Sequence, residues 1–138
     1  MIIRSYQTTD QEAVLRLWRD CGLTQPQNNP LTDIQRKLSV QPELFLVGLL
    51  GENLIATVMA GYDGHRGWLN YLAVSPEHRQ HGFGSKIVMA AEKELQNLGC
   101  PKINIQIRLS NKEAMEFYRK IGFHIDEVAS MGKRIIED

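Results

Sequence analysis

The chain has 138 residues, enough for one ordinary domain, and its 43% hydrophobic and 23% charged residues exclude a disordered or fibrous protein. Sixteen Lys and Arg against sixteen Asp and Glu leave a formal net charge of zero, so no basic excess draws the chain to nucleic acid, and any anion it binds is held by local geometry. Cys21 and Cys100 stand far apart, without metal-ligand or redox spacing, and read as two small buried hydrophobes.

From the N-terminus, Ile2 and Ile3 suggest a first strand with no apolar targeting segment before it. Thr9 with Glu12 fits a capping box, and Val14, Leu17, Trp18 and Cys21 then fall on one helical face that Gly22 ends. Thr24 to Asn29 reads as a loop; Asn29 and Pro30 fit the N-cap and first residue of a short helix carrying Leu31, Ile34 and Leu38. Leu44–Leu50, Leu54–Tyr62 and Trp68–Val74 are β-rich runs separated by the turns Gly51–Asn53 and Asp63–Gly67. Ile87, Val88, Ala91, Leu95 and Leu98 repeat at helical spacing up to Gly99, Ile103–Ile107 alternate as a strand does, and Asn111 opens a helix closed by Gly122. Phe123–Ser130 and Lys133–Ile136 are expected to close the chain as a hairpin. The order predicts a mixed α/β fold in a single domain over 1–138, with helices on both faces of one sheet. No apolar run nears the roughly 20 residues of a membrane span, so a cytoplasmic protein with no membrane partner is expected.

The segment Arg79, Gln80, His81, Gly82, Phe83, Gly84, Ser85, Lys86 lies between a buried strand and a helix. The first N–H groups of a helix lack intrahelical partners and face the positive end of its dipole, which makes an anion site. Gly82 and Gly84 have no Cβ to hold a phosphate off the backbone, and Arg79 and Lys86 offer charge. By itself the pattern also fits a plain turn. It lacks the Gly-Lys-Ser/Thr ending of a Walker loop and the third glycine of a dinucleotide fingerprint.

The stretch from Tyr71 through Val74, Ser75 and Pro76 to Arg79, Gly82 and Gly84 resembles the acetyl-CoA signature of the GNAT N-acetyltransferase superfamily, an Arg/Gln-x-x-Gly-x-Gly/Ala loop after an apolar strand. Asn111, Ala114, Phe117, Tyr118, Gly122 and Phe123 resemble the superfamily's next motif at the expected distance, and the element order is similar over essentially the whole chain. The Asp63–Gly67 turn and the Gly132–Arg134 ending are most similar to small single-domain bacterial (YpeA-like) members.

That resemblance implies a sheet of about seven strands whose central pair splays, with a bulge in the strand Trp68–Val74. It implies acetyl-CoA as co-substrate, and no metal. Leu72, Ala73 and Val74 would pair with the pantetheine arm, an N–H near Leu72 would polarise the thioester carbonyl, Arg79, Gln80, His81, Gly82, Phe83, Gly84 and Ser85 would hold the pyrophosphate, and Asn111 would hold the pantetheine arm or orient the next helix. Tyr118 would donate a proton to the leaving sulfur; the other reading of Tyr118 is a core ring with its hydroxyl on a backbone carbonyl. The expected activity is acetyl transfer to a primary amine, either a protein N-terminus or lysine or a small amine, and a homodimer is open. Related enzymes often carry a glutamate base where this chain has Gln106, so His65, Asp33 or a water chain is left as base, and a non-catalytic acyl-CoA-binding module stands as the alternative function. His78, His81 and His124 lack the spacing of a metal set.

Overall fold

Among the described residues the strands form one sheet in the order β1 (Ile2–Ser5), β2 (Phe45–Leu50), β3 (Asn53–Tyr62), β4 (Gly67–Val74) and β5 (Ile103–Ile105), as given by a computed structural model that describes residues 1–26 and 28–137. Gln27, inside the expected 24–29 loop, and Asp138, the last residue of the expected domain, lie outside the described residues. β1 to β4 are antiparallel neighbours, and β4 pairs with β5 in parallel. The turns explain this order. Gly51 supplies the left-handed backbone between β2 and β3 at φ 59°, and the Asp63 carboxylate accepts the His65 and Arg66 amides at 2.8 and 2.7 Å to close the turn into β4. A parallel neighbour requires a crossover, which α3 (Phe83–Asn97) provides.

The chain divides into two units, Met1–Ile105 and Gln106–Asp138. In the first, both faces of the sheet are buried. Phe45 opposite Met59 and Val47 opposite Thr57 face α1 (Gln11–Asp20), whose Val14, Leu17 and Trp18 complete that core together with Ile34 from α2 (Pro30–Leu38). Leu46 opposite Val58 and Ala60 opposite Leu69 face the other way, toward the buried Ile87, Val88, Ala91 and Leu95 of α3. Gly67 sits at the closest approach: a Cβ there would lie 3.1 Å from Leu95 Cδ1 and 2.8 Å from Cys100 Sγ. α2 starts as its sequence predicts, with Asn29 Oδ1 accepting the Thr32 N–H at 3.2 Å and Pro30 first in the helix.

Four expectations are corrected. The sheet has five strands among the described residues instead of seven, because the closing hairpin 123–130 and 133–136 forms no strand. Its apolar residues Ile125, Val128, Met131, Ile135 and Ile136 are 62% to 93% exposed, so no apolar face is buried there to hold a strand pair. The strand expected over 103–107 ends at Ile105. The capping box moves two residues earlier, to Gln7 and Asp10 around a 3₁₀ turn at Thr8–Asp10. There the Asp10 carboxylate, gripped by Arg4 at 2.7 and 3.0 Å, accepts the Gln7 N–H at 2.8 Å. Cys21 and Cys100 are free and half-buried where two buried residues were expected.

The second unit carries α4 (Lys112–Lys120), with Asn111 Oδ1 accepting the Ala114 N–H at 3.0 Å and Gly122, at φ 105°, ending it. Among the described residues no helix is long and apolar enough to cross a membrane.

Candidate active site

Two backbone features of the first unit form the candidate site. The first is the entry to α3. Gln80 and Gly82 are left-handed, at φ 66° and 79°, and α3 begins at Phe83 with no side chain capping it. The first helical bond there runs from the Lys86 N–H to the Gly82 carbonyl at 3.1 Å. The amides of Gly82, Phe83, Gly84 and Ser85 therefore have no carbonyl one turn back, and they lie at the positive end of a helix of 15 residues. A Cβ on Gly82 would meet nothing within 4 Å, so space above this backbone is open. Gln80, His81 and Gly82 are exposed, and Phe83, Gly84 and Ser85 half-buried.

The two charged side chains of this loop have contacts of their own. Arg79 Nε donates to the Val74 carbonyl at 3.1 Å and its Nη2 lies 3.5 Å from Cys21 Sγ, so the guanidinium ties the loop back to the end of β4. Lys86 Nζ sits over the Phe83 ring, 5.6 Å from its centre. The backbone supplies the donor array.

The second feature is a bulge in β4. Thr57 pairs with Ala73 and Met59 with Asn70, so Tyr71 and Leu72 stand opposite Val58 alone. Tyr71 is left-handed at φ 52°, a region that costs a non-glycine residue about 1–2 kcal/mol. Its surroundings hold it there. Its ring stacks on Trp18 with centroids 3.9 Å apart, its carbonyl accepts the Thr57 hydroxyl at 2.9 Å, and its own hydroxyl donates to Asp33 Oδ2 at 2.5 Å. Thr57 in turn accepts the Trp18 indole N–H at 2.9 Å, so neither buried polar group is orphaned. Burial first, and then the hydrogen bond to Asp33, push the Tyr71 phenol well above its ordinary value, and it stays protonated.

The bulge sets a direction. In a planar trans peptide the N–H points opposite to the C=O. With the Tyr71 carbonyl turned to the Thr57 hydroxyl, the Leu72 N–H points away from that hydroxyl. On the edge of β4 away from β3, pairing with β5 runs only from Gly67–Ile103 to Leu69–Ile105, so Asn70 to Val74 have no β5 partner.

In the second unit Tyr118 is buried, at 8% exposure, with its ring edge-on to Phe117 and Phe123 at 5.1 and 5.2 Å. Its hydroxyl has no hydrogen-bond partner among the described residues, and burial raises it to about 12. Asn111 caps α4, and Gln106 Nε2 donates to Ser130 Oγ at 2.5 Å. Of the other base candidates, Asp33 lies against Tyr71 and His65 is exposed in the Asp63–Gly67 turn. Among the described residues no three His, Cys, Asp or Glu gather to hold a metal ion.

A family model described as the Acetyltransferase (GNAT) family matches residues 8–123. The chain belongs to that family. A Yersinia pestis protein named acetyltransferase is 43% identical over 138 residues, covering 100% of this chain and 98% of its own length. Of solved structures, Ard1 from Thermoplasma volcanium superposes with a TM-score of 0.78 at 25% identity, over 91% of this chain and 83% of that one. The PaiA N-acetyltransferase from Thermoplasma acidophilum, solved with coenzyme A, superposes with a TM-score of 0.73 at 19% identity over 93% and 92%, a likeness of fold. The protein is thus a GNAT acetyltransferase of mixed α/β fold.

Sequence reasoning singled out the glycine loop of this acetyltransferase, Leu72 and Tyr118, but missed the clamp around Tyr71. Trp18 reads as core, Thr57 as one more strand residue, and nothing local announces that they meet at a bulge. The parity slip shows only in the structure: Leu69 and Ala73 are both buried, on opposite faces, which an even spacing in an unbroken strand forbids.

Proposed function

We propose that this GNAT domain transfers the acetyl group of acetyl-CoA to a primary amine by direct attack. The observation that carries the reading is the run of unpartnered amides from Gly82 to Ser85 at the start of α3, open to a phosphate because Gly82 has no Cβ. These amides, with the backbone of Gln80 and His81, would hold the coenzyme's pyrophosphate. The coenzyme A bound to the Thermoplasma acidophilum neighbour supports this choice of ligand. Leu72, Ala73 and Val74, on the edge of β4 that β5 leaves unpaired, would receive the pantetheine arm as an added strand. Arg79, tied by its Nε to the end of β4, would lend its charge to the pyrophosphate beside these backbone donors. Asn111 acts through its cap, orienting α4.

The Leu72 amide would donate to the thioester oxygen as the amine nitrogen attacks the carbonyl carbon and charge builds on that oxygen. The C–S bond then breaks: Tyr118 is the proposed donor to the departing thiolate, and the nitrogen, which carries an extra proton after attack, releases it to water, from which the Tyr118 phenolate is reprotonated. Burial raises the Tyr118 phenol to about 12, so it comes to this step protonated. The acceptor must first lose a proton, because a lysine amine titrates near 10.4. Water or His65 would take it, since Asp33 already accepts the Tyr71 hydroxyl. The acceptor itself is a primary amine of a protein or a small molecule.

A mass-spectrometric screen of amines and peptides with the protein and acetyl-CoA tests the whole reading. A gain of one acetyl group on an amine supports it. Binding of acetyl-CoA without transfer to any acceptor would leave only a binding module.

A further inference from the structure

The clamp around Tyr71 draws on three elements, and one of its members does no packing. Trp18 and Thr57 come from the buried core. Asp33 comes from the first turn of α2 and is half-buried, with Oδ2 on the Tyr71 hydroxyl and Oδ1 3.8 Å from Arg36 Nη1. α2 cannot drift from this position easily. Its next residue, Ile34, is 1% exposed in the core, and one turn later Lys37 Nζ donates to the Ala60 carbonyl on β3 at 2.5 Å. A helix seated by Ile34 and Lys37 presents Asp33 to the bulge at a fixed place.

We propose that Asp33 is a positioning residue for acetyl transfer: through the Tyr71 hydroxyl its carboxylate holds the left-handed bulge residue in place and so aims the Leu72 amide. This rests on the oxyanion role given to that amide above. The reasoning is geometric. Only the peptide plane between Tyr71 and Leu72 decides where the Leu72 N–H points. That plane is held at its carbonyl by Thr57 and through the Tyr71 side chain by Trp18 and Asp33. Removing one restraint lets a strained residue relax toward commoner backbone angles, and the amide turns with it. The function needed from Asp33 is an acceptor oxygen, not a negative charge.

That distinction makes the test. Tyr71→Phe keeps the ring on Trp18 and loses the hydroxyl; Asp33→Ala loses the acceptor; Asp33→Asn keeps an acceptor oxygen and loses the charge. Tyr71→Phe and Asp33→Ala are each expected to lower kcat about tenfold with KM for acetyl-CoA within about twofold, the double variant no further, and Asp33→Asn to restore most of the loss. The amide resonance and hydrogen exchange of Leu72 in the ligand-free protein give a readout independent of turnover. Both should move in Tyr71→Phe and Asp33→Ala and return in Asp33→Asn. A Leu72 amide unmoved in Tyr71→Phe and Asp33→Ala overturns the proposal, as does an Asp33→Asn variant as slow as Asp33→Ala, which would make Asp33 act by charge. If the native protein transfers no acetyl group, the acetyl-transfer reading fails, and the Leu72 amide still decides whether Asp33 positions the bulge.

Discussion

Gly82 and Tyr71 adopt the same left-handed backbone, at φ 79° and 52°, by opposite means. At Gly82 nothing surrounds the residue: no Cβ, no neighbour within 4 Å of where one would be, and no side chain capping the helix behind it. At Tyr71 an aromatic stack and hydrogen bonds at the carbonyl and the hydroxyl hold a bulky residue in a conformation it would not choose. The contrast follows from what each backbone must do. A seat for a phosphate needs emptiness and several amides at once, so glycine serves. An amide that must meet one developing charge needs a fixed direction, and a direction is fixed by packing a side chain.

The largest effect should come from breaking the open side. Gly82→Val adds a β-branched side chain at φ 79°, where strain of about 1–2 kcal/mol adds to the loss of at least one charge-assisted amide bond to phosphate. Acetyl-CoA affinity should fall about a hundredfold, which is roughly 3 kcal/mol, with thermal stability lowered by no more than the strain. Calorimetric titration checks this. Unchanged affinity would mean the loop is only a turn.

Breaking the clamped side should cost stability before it costs binding. Thr57 is 0% exposed, accepts the Trp18 indole N–H and donates to the Tyr71 carbonyl. Thr57→Val keeps the shape and leaves both partners unpaired, for about 2 kcal/mol, or several degrees in Tm. Urea unfolding measures it, and acetyl-CoA affinity should stay within about threefold of the native value. Should affinity drop with stability, the two sites are not the separate devices they look to be.

How far each device could be read from the sequence follows the same divide. The open loop is legible because glycines and a helix start are local facts: Gly82, Gly84 and the Ile87–Leu95 face lie within a few residues of one another. The hairpins of β2 to β4 are legible for the same reason. The clamp is not, because Trp18, Asp33, Thr57 and Tyr71 come from four elements and meet only through tertiary packing. The segment 123–136 shows the reverse error. Its apolar residues suggest strands, but Ile125, Val128 and Met131 stand three apart and Ile135 and Ile136 are adjacent, so no period of two marks a face to be buried.

Tyr118 sharpens the comparison by separating turnover from both seats. Tyr118→Phe should lower kcat about tenfold or more with acetyl-CoA affinity unchanged, the reverse of the Gly82→Val pattern. Its burial also fixes the pH response. With the folded phenol at about 12 and an unfolded one near 10, the folded form binds the proton more tightly. Stability from this group is therefore full below pH ~10 and is lost as pH rises toward ~12. The alkaline fall in kcat should lie above pH ~10. A limb nearer pH 8 that persists in Tyr118→Phe would give the proton to another donor.

The smallest effect tests whether the clamp depends on how α1 is anchored. Asp10, 8% exposed and held by Arg4 and the Gln7 amide, starts the helix that carries Trp18 to Tyr71. The Arg4 hydrogen bonds outweigh burial and hold the carboxyl below its usual range, so its contribution is present above the unfolded value near 4 and is lost as pH falls through the lower folded one. Asp10→Asn should cost about 1 kcal/mol at pH 7, a figure kept small because Arg4 is partly solvated, and should flatten the loss of stability below pH ~4. Trp18 fluorescence, read in a Trp68→Phe background because the chain has two tryptophans, reports the consequence. If the native protein at pH ~3, and Asp10→Asn at any pH, keep the emission of a tryptophan stacked on Tyr71, the core alone holds the clamp and the anchor of α1 is a separate matter of helix stability. If the emission shifts, the strained bulge reaches through α1 to an ion pair at its far end.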